Sequence, residues 1–182
     1  MKRRLLIPAT LLAIAFGPAC TNKQGETEQP VILTVDLTEQ AGLTDVNPPR
    51  TLTIPTMTIT STLKSSTATN PVGLADVELS YYVVHYHRND GGTRLPADQT
   101  FAVGEHLATP GTVTLAGFPI LSQTAMQGAP FNSLFPANGG IDPETGKAEI
   151  DLFYDVTFFG QTVAGQRVQS ETATAYRVFQ YF

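Results

Sequence analysis

The sequence AEIDLFYDVTFF, residues 148–159, alternates apolar and polar side chains with a period of two. One set of alternate positions is apolar throughout: Ala148, Ile150, Leu152, Tyr154, Val156 and Phe158. The other set is mostly polar, with two aromatic exceptions: Glu149, Asp151, Phe153, Asp155, Thr157 and Phe159. Successive side chains of a β-strand point to opposite faces of its sheet. The pattern therefore predicts a strand with one buried face and one exposed face.

The same alternation recurs along the chain and predicts further strands. After Pro55 the apolar positions change phase, from Leu52 and Ile54 to Met57 and Ile59. Because proline cannot donate a ladder hydrogen bond, this change indicates an edge position or a bulge. The predicted strands cover residues 31–38, 52–63, 77–88, 112–115 and 172–182.

Turn-forming residues separate these strands. The sequences NDGG at 89–92 and DPETGK at 142–147 are typical of tight turns. Two long connections, 93–111 and 123–140, are rich in proline, glycine and alanine and are predicted to be loops, with at most a helical turn near 122–127. We expect three apolar side chains to hold the second loop on the core: Phe131, Leu134 and Phe135.

The strand pattern, 15 glycines and 13 prolines favour an all-β antiparallel sandwich. The sequence YYVVHY at 81–86, followed by the NDGG turn, resembles the third strand of a fibronectin type III domain. The sequence FFGQTVAGQRV at 158–168, followed by a closing strand, resembles the last hairpin of Ig-like modules in exported bacterial lipoproteins. The resemblance implies an Ig-like or fibronectin III-like β-sandwich, a fold that serves adhesion, scaffolding and binding.

The N-terminus has the order of charges of a secretory signal. Lys2, Arg3 and Arg4 precede the uncharged apolar run 5–16, and small residues follow at 17–19. A helix needs about 20 apolar residues to cross a bilayer, so this shorter run predicts a cleaved signal peptide at 1–19.

Cys20 is the only cysteine of the chain. Its place directly after the small residues resembles the lipobox of bacterial lipoproteins, which implies lipidation of Cys20 and a membrane anchor. Thr21 in the next position implies sorting to the outer membrane. Gly17 and Pro18 depart from the usual lipobox residues, and ordinary cleavage that leaves a free thiol is the alternative. We expect residues 20–29 to form a flexible tether and 30–182 to form the sandwich domain.

Charge limits the possible partners. Loss of Lys2, Arg3 and Arg4 with the signal leaves 8 of the 11 basic residues against 16 acidic residues, a net charge of −8. Such an acidic chain is not expected to bind nucleic acid or to dock electrostatically on anionic lipid. The expected partners are the membrane, through the lipid anchor, and an envelope protein.

Histidines offer the one candidate for transition-metal binding. His85 and His87 lie on one face of the predicted strand 77–88, and His106 could supply a third imidazole ligand for zinc. If the odd-numbered apolar residues between 77 and 83 face inward, the pair lies at the core edge. If the even-numbered residues between 82 and 86 do, the pair faces solvent. Edge or surface histidines without a metal are the simpler interpretation, and no metal site is predicted.

Carboxylates do not form a recognisable site either. Asp142, Glu144 and Glu149 lie near Gly146, but they do not complete the ligand spacing of a calcium loop, and a hairpin turn explains them better. Asp151 and Asp155 are expected on a solvated outer face.

For catalysis, the chain contains no Gly-x-Ser-x-Gly nucleophile elbow and no thiol beyond Cys20. We therefore expect a non-enzymatic, cofactor-free envelope lipoprotein whose β-sandwich acts in binding, assembly or structural support. The alternatives are an exported enzyme or metal-binding domain, and a small outer-membrane β-barrel, since the chain ends on Phe182 as such barrels do.

Overall fold

A computed structural model describes residues 29–38 and 41–182. The strands are β1 (Val31–Leu37), β2 (Ala41–Asp45), β3 (Leu52–Leu63), β4 (Val77–Arg88), β5 (Gln99–Leu107), β6 (Gly111–Leu121), β7 (Glu149–Thr162), β8 (Arg167–Gln169) and β9 (Ala173–Gln180). Between β6 and β7 lie the helix α1 (Gln123–Gln127) and two 3₁₀ turns (Phe131–Leu134 and Pro136–Asn138).

The strands form two sheets. The smaller has the order β1-β3-β6, and the larger has the order β2-β9-β7-β4-β5, with β8 paired to β7. All pairs are antiparallel except β2 with β9. The inner faces of both sheets contribute to one apolar core. The prediction of an all-β sandwich is therefore confirmed.

Two tyrosines of β4 cross the core and connect the sheets. The Tyr82 hydroxyl donates a hydrogen bond to the carbonyl oxygen of Pro119 at 2.6 Å, and the Tyr86 hydroxyl donates to the carbonyl oxygen of Ile120. Both carbonyls belong to the end of β6. Burial raises the pKa of both phenols, because the charged form would lose its hydration.

The predicted alternation of β7 is confirmed, since its apolar positions Ile150, Leu152, Tyr154, Val156 and Phe158 are buried. The phase change in β3 is also confirmed, because Ile54 and Met57 are both buried although three positions apart. Pro55 lies two positions before Met57, the first residue of β3 that pairs with β1, so its missing N–H costs no hydrogen bond to that strand.

A register shift in β4 settles which way its side chains point. Val77 and Leu79 are buried, and after the shift between Leu79 and Tyr81 the buried residues are Tyr82, Val84 and Tyr86. Of the two orientations considered from the sequence, the one with Tyr82, Val84 and Tyr86 inward is therefore correct for this half of the strand. The other is wrong beyond Leu79, because Tyr81 is exposed. Past the shift, the odd-numbered residues face outward.

The predicted loop 93–111 is wrong in its central part, which forms β5. The inward residues Phe101, Val103 and Leu107 alternate as in other strands, but Ala102 and Gly104 separate them and weaken the polar half of the pattern. The predicted strand 112–115 is part of the longer β6. The short strands β2 and β8 were not predicted.

The second long connection, 123–140, is irregular as predicted and contains the expected helical turn, α1, whose first turn is capped by the Ser122 side chain. Phe131 and Leu134 are buried and Phe135 is partly buried against the core, so these side chains hold the connection in place as expected. The ring of Phe131 lies 4.5 Å from that of Phe179 in β9, measured between centroids.

The shift in β4 requires a glycine on the neighbouring strand, which gives a first prediction. Gly160 lies opposite Leu79, and a Cβ there would overlap the carbonyl oxygen of Glu78. We expect Gly160→Ala to lower the free energy of unfolding by about 1–3 kcal/mol, because backbone must move to admit the methyl group. Gly104→Ala in β5 is the control, since its Cβ would meet nothing within 4 Å. Denaturant unfolding measures both, and equal effects would contradict the proposed close approach.

Candidate functional site: the outer face of the larger sheet

The outer face of the larger sheet carries aromatic side chains in register on three strands. His87, Phe153 and Tyr176 are direct cross-strand neighbours on β4, β7 and β9. Ring centroids lie 5.2 Å apart for His87 and Phe153 and 5.3 Å apart for Phe153 and Tyr176. We call these three side chains the aromatic row. Cross-strand ring contacts of this kind stabilise a sheet, and all three side chains of the row are half-buried.

A second aromatic contact lies further along the same face. The rings of Tyr81 and Phe159 stack 5.0 Å apart at an angle of 13°. They line a shallow cleft of about 400 Å³ together with residues that include Arg167 of β8. Phe153 and Phe159, the two exceptions to the polar pattern of β7, thus each belong to a ring contact on the outer face.

Carboxylates surround the aromatic row. Asp151 and Asp155 flank Phe153 on β7, and both point outward as predicted. Neither is fully solvated, because Asp155 accepts a hydrogen bond from the Thr174 hydroxyl and Asp151 is partly buried. Burial raises the pKa of Tyr176, and the charge of Asp151, a hydrogen bond to it and the charge of Glu149 raise it further. The electrostatic potential around Tyr176, at the β9 end of the aromatic row, is therefore negative.

Each histidine considered from the sequence lies beside a different carboxylate. Nδ1 of His85 is 2.8 Å from Asp98, and Nδ1 of His87 is 3.5 Å from Asp155. Nδ1 of His106 is 2.7 Å from Glu78. The first two share the outer face of β4, as their spacing predicts, and His106 lies on neighbouring β5. Within residues 29–38 and 41–182, no group of three His, Cys, Asp or Glu is placed to hold a metal ion.

At one end of the sandwich, Arg88 lies buried between two carboxylates. Its Nε and NH2 donate to both oxygens of Asp90 at 2.7 Å, and NH2 also donates to Oδ2 of Asp142 at 2.6 Å. The side chain of Arg88 is 2% exposed and those of both aspartates are 0% exposed. Charges this deeply buried need such complete pairing.

Two adjoining loops bond to the same cluster. The amides of Gly92 and Asp151 donate to Asp90. Glu144 accepts hydrogen bonds from the amides of Thr93 and Arg94 and from the Thr93 hydroxyl, at 2.7 to 2.8 Å. We call Arg88, Asp90, Asp142 and Glu144 the ion cluster; it attaches the start of the β4–β5 connection to the segment before β7.

The sequence prediction for residues 142–147 is confirmed only as a turn. The amide of Gly146, at a φ of 72°, donates to the carbonyl oxygen of Asp142 at 2.8 Å. Sequence reasoning missed that Asp142 is a buried partner of Arg88. The sequence did contain an indication of this contact. Arg88 lies two positions after Tyr86 on the same strand, so its side chain points to the same inner face and needs a buried acidic partner.

These contacts shift the acidities of the cluster. Burial raises the pKa of Asp90, but hydrogen bonds from Arg88 and from two amides, with the charge of Arg88, outweigh it and bring the pKa to about 2. The pKa of Asp142 is lowered by a similar balance of burial against hydrogen bonds from Arg88 and Thr145. Hydrogen bonds from the Arg94 amide and from Thr93 lower the pKa of Glu144 to about 2.

Cys20, the predicted lipidation residue, lies outside the described residues. No helix in the described part of the chain is long and apolar enough to span a bilayer. Comparison of the chain with known protein families, with curated proteins and with solved structures gives no match. The candidate site is therefore defined by its geometry: a half-buried aromatic row among carboxylates, on a sheet whose end is fixed by the ion cluster.

The ion cluster predicts a specific acid sensitivity. A carboxylate whose pKa is lower in the folded than in the unfolded protein adds stability above its unfolded pKa, about 4, and this stability is lost as pH falls towards the folded value. Since Asp90 and Glu144 titrate at about 2 when folded, we expect the free energy of unfolding to fall between about pH 4 and pH 2.

Denaturant unfolding at a series of pH values measures this dependence. Glu144→Gln removes one of the depressed carboxylates and should make the profile less steep between the same limits. Glu171→Gln, at an exposed residue outside the cluster, is the control and should leave the slope unchanged. If the free energy of unfolding of the wild type did not change between about pH 4 and pH 2, the lowered pKa values of Asp90 and Glu144 would be contradicted.

Proposed function

We propose that this protein is a lipid-anchored, non-enzymatic module of the bacterial cell envelope that binds a partner through the outer face of its larger sheet. The observation that carries the proposal is the aromatic row, whose three side chains lie half-buried on the outer face. Exposed aromatic groups rimmed by polar side chains are typical of interaction surfaces.

The order of the strands supports an Ig-like form of the sandwich. In Ig-like domains, strands A, B and E share one sheet, and C, F and G share the other, with C′ added in the variable type. Naming β1, β3 and β6 as A, B and E, and β5, β4, β7 and β9 as C′, C, F and G, reproduces this order. Such sandwiches commonly act as binding modules, and the site has to be argued from its own residues.

The sequence before the sandwich supports export and anchoring. The signal-like residues 1–19 and the single cysteine at position 20 imply an acylated N-terminus, and Thr21 implies the outer membrane. Two or more acyl chains give stable attachment, which would hold the module at the membrane surface.

The anchor has a direct test. We expect the wild-type protein to sediment with membranes and to resist extraction by high salt, since attachment through acyl chains is hydrophobic. Cys20→Ser should move the protein to the aqueous phase, and mass spectrometry should find acyl chains on Cys20 of the wild type only. Ser133→Ala, a substitution far from the N-terminus, is the control. An unmodified Cys20 in the wild type would contradict the anchor.

Site-specific crosslinking in intact cells tests the binding surface. A photoreactive phenylalanine derivative replaces Tyr81 or Tyr176 on the outer face, a change from one ring to another. We expect a discrete crosslinked species from both positions. The control position is Thr114, which is exposed on the other side of the sandwich in β6. Crosslinks that are absent, or equal in pattern and yield at Thr114, would contradict binding through the outer face.

A further inference from the structure

Charge on the outer face of the larger sheet is strongly one-sided. No outward position on β2, β9, β7, β4 or β5 carries lysine or arginine. Outward positions on these strands do carry carboxylates: Asp45, Glu78, Glu149, Asp151 and Asp155. Arg167 lies on β8, where it lines the cleft formed with Tyr81 and Phe159, away from the aromatic row. The region around the row is therefore both aromatic and acidic.

The strand register places aromatic and acidic groups within reach of a single ligand. Glu149, Asp151, Phe153 and Asp155 succeed one another on the outer side of β7, and outward neighbours on a strand lie about 6.6 Å apart. Tyr176 pairs with Phe153 on one side and with Ala41 on the other. Alanine is too small to cover a phenol ring, and the Tyr176 side chain is half-buried.

This combination excludes several partners by charge. Nucleic acid and anionic lipid would be repelled by the carboxylates. A second copy of the same face would be repelled for the same reason. A cationic group gains in two ways, because it can lie against an aromatic ring and pair with the carboxylates beside it.

We propose that the acidic part of the outer face, Glu149 to Asp155 with the aromatic row, binds an arginine-bearing segment of another polypeptide. Guanidinium groups stack on rings and pair with carboxylates through two parallel hydrogen bonds, so arginine suits this face better than lysine. Glu149 and Asp155 are six positions apart, a span of about 20 Å, which an extended segment of about six residues would cover. This inference rests on the proposed function and specifies its partner.

Fluorescence anisotropy with labelled peptides tests the inference on the full-length protein in a nonionic detergent. The probe is a short peptide of alternating arginine and serine. Matched peptides carry lysine or glutamine in place of arginine. We expect the arginine peptide to bind, its affinity to fall as salt is raised, the lysine peptide to bind more weakly, and the glutamine peptide not to bind.

Variants of the outer face of the larger sheet test whether the arginine peptide binds at the proposed residues or is attracted by the overall negative charge of the protein. Glu149→Gln combined with Asp151→Asn should weaken arginine-peptide binding about tenfold, the loss expected for two partly exposed ion pairs. Phe153→Thr should weaken it without changing the charge. The control is Thr58→Ala combined with Thr114→Ala, on the outer face of the smaller sheet, which should leave the affinity unchanged. Circular dichroism melting confirms that each variant is folded.

The outcomes separate this inference from the proposed function. No binding of the arginine peptide, or equal affinity of all variants, would overturn the arginine-bearing partner. If crosslinks still form at Tyr81 and Tyr176 in cells, the outer face remains a binding surface for another kind of ligand. Binding of an uncharged oligosaccharide that depends on Phe153, without binding of the arginine peptide, would identify that ligand as a glycan.

Discussion

One extra residue in β4 relative to β7 determines which side chains of β4 face the core and which face outward. Ser80 interrupts the register with both neighbouring strands between Leu79 and Tyr81, and Gly160 leaves room for the backbone at that point. A shift by one residue exchanges the two faces of a strand. It therefore turns Tyr82 and Tyr86 into the core, where they bond to β6, and sends His87 to the outer face.

The same shift places Arg88 inside the sandwich, and the ion cluster follows from that. A buried arginine must be fully paired, and the partners come from the turn after β4 and from the segment before β7. Buried ion pairs add little net stability but are costly to break, so their main effect is to fix the position of the groups they join. Here they fix the start of β7, where Glu149 and Asp151 begin the acidic part of the outer face.

Much of this fold follows from local sequence, and the candidate site does not. The period of two locates β4 and β7 and identifies the buried side of β7. It fails for β5, where Ala102 and Gly104 carry almost no signal, and for β2, which is short and contains Gly42. The ion cluster joins residues 54 positions apart in the chain, and the aromatic row depends on the register of three strands. Neither is encoded in a local pattern.

The two outer faces of the sandwich carry different kinds of side chain. On the smaller sheet, outward positions are mainly threonines, which pair across strands, as Thr60 and Thr112 do with hydroxyl oxygens 3.2 Å apart. Threonine suits an exposed strand and adds no large apolar surface to it. The larger sheet instead carries Phe153 and Phe159 at outward positions, although threonine at 157 occupies the same face. The part of these half-buried rings that remains accessible carries a cost in solubility that threonines avoid, and a partner that covers them would remove this cost.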